Sequence, residues 1–397
     1  MKRVSAICLA VGACAAPQQP APRQFVAQQQ QPAARPSAPP RPAAQQPAPS
    51  LERLQRQAEA ARAAKRIDEA IQLYKKGVAI EPSWDEGWWA LGTIYYQLDR
   101  FDEGRTAFRR LTVIKPEVGL PWAMLGLCEY ETKHYEEALQ HLRRGTDLGV
   151  DQDQDISAVA HYHLALLLTR FTEYEAAMKV LSVFAQRNVN SPSYVEAMGI
   201  AALRKPLLPN EVPPTEHQLV MDTGRVMYDA AALHTTEAAM EFKILVDKYP
   251  ETPNIHYLYG SFLLFSDADG GLAELKKELE VSPVHVPAMV TIANEYITRK
   301  QYQDALPYAK KAAELDPQSF PALTVYGRVL VEGDIDLQRG LAQLEQARKL
   351  APSSPQVRIA LATAYTKAGR KEDAAREREA FAKLRKEIDA KSAPGGR

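Results

Sequence analysis

Residues 89–116 read WALGTIYYQLDRFDEGRTAFRRLTVIKP. The stretch sets Gly92 inside a strongly apolar helical pattern and closes on Pro116. A glycine in a helix interior costs about 1 kcal/mol relative to alanine. Something must offset that cost, and the neighbouring residues show what. Trp88, Leu91 and Tyr95 fall at i, i+3 and i+7, on one face of a helix. Phe108 and Leu111 share one face of a second helix. Gly92 and Gly104 then stand where the two helices come closest. Without side chains there, the backbones approach and the flanking large residues interlock.

The same spacing returns 34 residues later as Trp122, Leu125 and Gly126, with Glu129 in the place of Tyr95 and Tyr130 beside it. Pro82 and Pro116 keep the interval. The pattern resembles the tetratricopeptide repeat, which runs Trp, Leu-Gly, Tyr, then Ala, Phe and Pro. Copies at 85–118 and 119–152 are the clearest. A weaker one at 51–84 keeps Ala58, Ala70, Tyr74, Gly77 and Pro82, and 158–191 carries Leu164, Ala165, Ala177 and Leu181. Further copies run from Tyr259-Gly260 to Pro283, from Ala293 to Pro317, from Tyr326-Gly327 to Pro352 and from Leu361-Ala362 to Phe381. Pro121, Pro253, Pro287, Pro321 and Pro355 sit at the starts of first helices, where no intrahelical bond is lost. The resemblance implies an all-α fold: a right-handed superhelical solenoid of antiparallel helix pairs.

One copy is interrupted. Tyr194 to Arg204 begins it, with Met198-Gly199 in frame, and then KPLLPNEVPPTE breaks in. Four prolines in that stretch cannot continue a helix. Thr215 and Gln218 form a candidate capping box that restarts one, and Ala238, Phe242 and Pro250 would complete a helix pair. The frame therefore divides the chain into a first block at 51–204, a proline-rich loop at 205–215 and a second block at 216–390. The loop is either a hinge or a tolerated surface insertion. A last helix from about Lys371 to Ala390 has an apolar stripe of Phe381, Leu384 and Ile388. Its charged outer face suits a terminal cap. A short disordered tail at 391–397 would follow.

The N-terminus is different in kind. Lys2 and Arg3 precede the apolar run Val4 to Ala13, the order of an export signal. Val11-Gly12-Ala13-Cys14 resembles a bacterial lipobox, which would make Cys14 a lipidation site. Plain cleavage after the small residues at 13–15 is the alternative. Residues 1–14 are thus read as a signal segment. Residues 15–50 are almost wholly Ala, Pro and Gln, and cannot offset their ordering entropy by burial. They are expected to form a disordered, semi-rigid spacer reaching on the order of 100 Å. No later run approaches the ~18–20 apolar residues of a membrane span.

Charge and chemistry narrow the function. The whole chain is neutral, but residues 1–50 hold five cations and no acid, so the body carries 44 basic against 49 acidic side chains, −5. A mildly acidic body argues against nucleic-acid binding. The eight histidines fall in no zinc arrangement, and His161 and His163 point to different sides of a helix. Gly270-Gly271 is read as a turn between helices, not a phosphate loop, and no nucleophile elbow appears. Glu136 and Glu137 lie on a solvent face. Cys128 is the lone cysteine of the body, in a structural position. The chain is accordingly read as non-catalytic, without cofactor or metal.

Binding remains. In the family resembled, first helices line an extended concave face that takes peptides or helices. Carried over, those positions are Trp89, Thr93, Tyr96 and Gln97, then Leu127, Tyr130 and Glu131, then Tyr162, Leu166 and Arg170. They make an aromatic groove with isolated charges. The second block supplies Tyr257, Ser261, Leu264, Asn294, Arg328, Thr363 and Lys367, a more polar set. The carboxylate clamp of chaperone-binding members is absent in frame, with Gln55, Glu59 and Thr93 where it would begin. Trp89 and Tyr162 have a plainer alternative, packing against neighbouring first helices. The resemblance and the signal together imply an exported protein-binding adaptor of the bacterial envelope, with a client protein or peptide. A self-associating scaffold without a client is the alternative.

Overall fold

The computed structural model describes residues 50–150 and 153–392. The signal segment with Cys14, the spacer up to residue 49 and the tail beyond 392 lie outside the described residues.

Among the described residues there are nineteen α-helices and no strand. The first five pairs are α1 (Leu51–Ala63) with α2 (Ile67–Ile80), α3 (Asp85–Gln97) with α4 (Phe101–Ile114), α5 (Gly119–Glu131) with α6 (Tyr135–Leu148), α7 (Gln154–Arg170) with α8 (Tyr174–Gln186), and α9 (Pro192–Ala202) with α10 (His217–Ala231). A single helix, α11 (Thr235–Lys248), follows. Four more pairs complete the chain: α12 (Ile255–Leu263) with α13 (Ala268–Val281), α14 (Val286–Thr298) with α15 (Tyr302–Leu315), α16 (Phe320–Glu332) with α17 (Leu337–Leu350), and α18 (Pro355–Lys367) with α19 (Lys371–Ser392). First helices of successive pairs also pack on one another, α5 on α7, α7 on α9, α14 on α16 and α16 on α18.

Three local devices recur among the pairs. The first is the glycine contact: a Cβ on Gly92 would lie 2.6 Å from the ring of Phe108, and one on Gly126 would lie 2.9 Å from the backbone nitrogen of Leu142. The second is a carbonyl lock. Trp88 Nε1 donates to the Pro82 carbonyl at 3.0 Å and Trp122 Nε1 to the Pro116 carbonyl at 2.9 Å. His256 and Arg358 do the same for Pro250 and Pro352, at 3.0 and 2.7 Å. The recurring Pro and Trp are therefore one hydrogen bond, and any donor six residues on can make it.

The third device is the tight turn that joins six of the pairs. Lys65, Asp99, Lys133, Thr172, Lys300 and Asp334 all take the left-handed conformation, with φ between +53° and +64°. The next residue returns its N–H to a carbonyl five back, as Arg100 does to Tyr95 and Gln301 to Tyr296, both at 2.8 Å. This closes the helix end in the manner of a Schellman turn. A side chain in that conformation costs about 1 kcal/mol or more. Lys300→Gly is expected to raise stability by ~0.5 kcal/mol, the relief less glycine's extra freedom in the unfolded chain. Urea unfolding followed by circular dichroism would show it; a lower midpoint would mean the turn carries no strain.

The stretch after α9 behaves differently from its sequence reading. α10 begins at His217, its N-cap is Glu216, and no side chain caps it. Thr215 and Gln218 form no capping box; Gln218 instead donates to Asp222 at 2.7 Å. The close partner of α10 is α9, not α11. Proline and the missing frame signal hid that pairing. Gly270 and Gly271 lie in the first turn of α13, under an Asp267 cap, rather than in a turn between helices.

The cap helix α19 is held by a charge that periodicity does not reveal. Glu377, almost fully buried, receives Arg348 at 2.6 Å and Arg358 at 2.8 Å. Glu129, in the place of the repeat's tyrosine, is buried in the same manner, between Arg109 at 3.0 Å and His141 at 2.5 Å. Such pairing offsets the cost of burying a carboxylate.

Candidate functional site

The face made by first helices carries a run of aromatic residues. Trp89 is half-buried, edge-on to Phe108 at 5.6 Å, and Tyr96 meets Phe101 at 5.5 Å. Thr93 spends its hydroxyl on the Trp89 carbonyl at 3.0 Å, and Gln97 is exposed. Leu127 and Leu166 are buried and floor the face. Tyr130 and Tyr162 both stand against His163, at 4.5 and 5.3 Å, and Tyr162 also meets Tyr194 at 5.2 Å. Both aromatic rings thus pack on neighbouring first helices while keeping an edge on the surface.

The structure draws Tyr130, Glu131, Tyr162 and Leu166 into one cleft of about 320 Å³. Tyr135 and His163, with Lys133 in the turn between α5 and α6, complete that wall, and Leu208, Pro209 and Asn210 form the opposite one. Arg170 stands at its edge. Its guanidinium lies 5.4 Å from the Tyr135 ring and reaches Glu211 at 2.6 Å. Trp89, Thr93, Tyr96 and Gln97 do not line this cleft.

The wall from 208 to 211 belongs to the proline-rich insertion, which sequence reasoning placed between repeat blocks. Nothing in its composition told that it folds back onto the first-helix face. The pair Leu207-Leu208 was a cue only that some apolar side chain there needs burial, not where it goes.

The cleft is apolar and weakly charged. Burial pushes the Tyr130 hydroxyl above its ordinary range, with neighbouring tyrosines and Glu131 adding to the shift, and raises Tyr162 to about 12. Burial depresses His163, whose Nδ1–H donates to the Val159 carbonyl at 2.8 Å. The imidazole is therefore neutral at pH 7, with Nε2 as its acceptor. Such a surface can stack on and hydrogen-bond a chain; it offers no activated nucleophile. Cys128 is buried and its thiol is pushed up to about 12, which keeps it unreactive.

The second half is polar and already paired. Arg328 holds Glu332 at 2.7 Å and Asn294 at 3.3 Å. Lys367 caps the end of α16 through the Val331 carbonyl at 2.9 Å and Asp334 at 2.6 Å. Tyr257 packs on His285, Ser261 and Leu264 are half-buried, and Thr363 is exposed. Among the described residues no three His, Cys, Asp or Glu side chains could hold a metal ion, and no helix is long and apolar enough to cross a membrane.

Models of the tetratricopeptide repeat match residues 89–149 and 286–319, so such repeats are present in both halves of the chain. Comparison with curated proteins gives no match. Among solved structures, the MamA RS-1 ArsTM double mutant is 20% identical over 43% of this chain and 95% of its own, with a TM-score of 0.37. MamA from residue 41 onward, from Desulfovibrio magneticus RS-1, is 21% identical over 44% of this chain and 96% of its own, TM-score 0.36. YrrB, described as a TPR protein with an unusual peptide-binding site, is 14% identical over 40% of this chain and 82% of its own, TM-score 0.34. Likeness at this level is of fold alone.

Proposed function

We propose that the chain is a non-catalytic adaptor that takes a client protein or peptide on the first-helix face, at the cleft around Tyr130, Tyr162 and His163. The observation that carries this is the cleft itself. Its aromatic rings are edge-exposed and rigidly packed, and such anchors supply contact area at low entropic cost. The basic, apolar N-terminus supports export to a bacterial envelope, and the lipobox-like segment supports an anchor at Cys14. The spacer would then hold the repeats away from that anchor.

A second reading, a self-associating scaffold, draws on the exposed apolar residues of the second half. Phe265 is 94% exposed, Leu233 75% and Ile244 64%. One experiment separates the two. A photoreactive residue replaces Glu131 at the cleft rim in living cells, and a control replaces Lys386 on α19. One dominant foreign polypeptide crosslinked from position 131 alone is the expected outcome. Self-crosslinks alone would support the scaffold and remove the client.

A further inference from the structure

The insertion after α9 is built like a ligand for the face it lies on. Its base is closed: Lys205 and Glu216 pair at 2.8 Å, and the Leu203 carbonyl accepts from buried Asn254 at 3.1 Å. Pro206, Pro209, Pro213 and Pro214 stiffen the chain between. At the apex Leu208 is 2% exposed, in the same apolar cluster as Leu166, Leu167 and Met198. A single 3-10 turn follows over Pro209–Glu211. Glu211 there does two things with one oxygen. It accepts the N–H of Leu208 at 2.9 Å, which closes the turn, and it binds Arg170 at 2.6 Å. The attachment is therefore a buried leucine and, three residues on, a carboxylate held by a groove arginine.

We infer that this groove recognises a leucine-anchored acidic turn, Leu-x-x-Glu, and that residues 206–213 are its resident occupant. A client segment of the same chemistry enters by displacing them. The inference rests on the reading of this face as a client groove. Three observations favour an exchangeable occupant over a fixed wall. The Arg170–Glu211 pair is about one-third exposed on each side, so it is screened and weak. Apart from one turn, the insertion makes no regular structure that leaving would break. The base is clamped independently of the apex, so the apex can leave while α9 and α10 stay paired.

Tethering gives the resident turn an effective concentration in the millimolar range. A free segment therefore binds with an affinity reduced by the fraction of molecules whose groove is open. The test uses a fluorescein-labelled peptide of Arg204–Pro214 and the full chain, read by anisotropy. Wild type is expected to bind it weakly. Glu211→Ala and Leu208→Ser in the chain are each expected to bind it about tenfold more tightly. Replacing either the leucine or the glutamate in the peptide should abolish that gain, and added salt should weaken it. The Glu211 side chain is about one-third exposed, so its variant serves if Leu208→Ser fails to fold by circular dichroism. Equal binding by all three chains, or none to either variant, would overturn the inference.

Its failure is distinguishable from failure of the client reading. A foreign crosslink at position 131 without peptide binding leaves the adaptor standing and removes this occupant. Peptide binding with only self-crosslinks means the groove recognises the turn of a second copy.

Discussion

Gly199→Ala is expected to destabilise the protein by ~3 kcal/mol or more, the upper end of what overpacking a helix contact costs. Helix propensity alone predicts a gain of about 1 kcal/mol from the same change, so even the sign is informative. A Cβ on Gly199 would lie 1.9 Å from the Val220 carbonyl oxygen and 3.1 Å from the nitrogen of Gly224. The contact is reciprocal, since a Cβ on Gly224 would lie 1.9 Å from the Val195 carbonyl oxygen. These neighbours are backbone atoms and cannot rotate away. α9 and α10 would have to separate, opening the buried contacts of Val195, Met198 and Val220.

The comparison variant is Gly92→Ala, whose nearest neighbour is the Phe108 ring, at 2.6 Å. A ring edge can turn, and the expected cost there is about 1 kcal/mol. Gly199→Ala with Gly224→Ala should cost less than the sum of the two, because the helices separate only once. Repeat arrays can unfold in parts, so hydrogen exchange is the right measurement. Protection should fall across α8 to α11 and hold in α16 to α19. Equal effects from Gly199→Ala and Gly92→Ala would mean that the helices do not meet so closely.

That pair also shows where the sequence stops being readable. Gly92 and Gly104 are 12 residues apart, the spacing of one tight turn, and the repeat frame finds both. Gly199 and Gly224 are 25 apart, because the insertion lies between them. Periodicity carries no information across such a gap, so Gly224 and the α9–α10 pairing stayed hidden while Gly199 did not. The site divides in the same way. Tyr130, Tyr162 and Arg170 came from the repeat resemblance, whose frame assigns first-helix positions to the concave face. Leu208 and Glu211 did not, since their placement depends on tertiary contacts to helices 40 residues away. Buried charges such as Glu129 and Glu377 escaped for a related reason: a glutamate reads as solvent-facing until its arginine is seen.

The second large effect concerns pH. Acidification from pH 7 to 4 is expected to remove about 3 kcal/mol of stability through His285, whose folded pKa burial has lowered to about 4. His285 accepts the N–H of Ala288 on Nδ1 at 3.0 Å and donates from Nε2 to Asn254 at 2.8 Å, so its neutral form is the one built in. Above about pH 6.5 both folded and unfolded chains hold it neutral and it contributes no slope. Below that the unfolded chain takes up a proton and the folded one does not until about pH 4, so stability falls between those limits.

The groups around His285 bear on the slope. Arg204 adds to its depression, Glu175 opposes it, and the Tyr257 ring covers one face. Glu278, 3.9 Å away, works in the other direction. Burial raises its carboxyl against two backbone N–H donors, Asn254 at 2.8 Å and Tyr257 at 3.1 Å. Its raised value means a cost at neutral pH that acid relieves, which offsets part of the His285 loss. His163, depressed by burial, acts in the same sense as His285.

His285→Gln keeps a donor toward Asn254 and cannot titrate. Urea unfolding of that variant and of wild type, at steps from pH 7 to pH 4, gives the difference profile. Wild type should lose more than the variant between pH 6.5 and 4, with the curves parallel above that window. Parallel curves throughout would show that His285 takes up its proton as readily in the folded chain as in the unfolded one, and that the Asn254 contact does not hold its neutral form. Asn254 also holds the insertion's base through the Leu203 carbonyl, a contact that the neutral His285 leaves in place down to about pH 4.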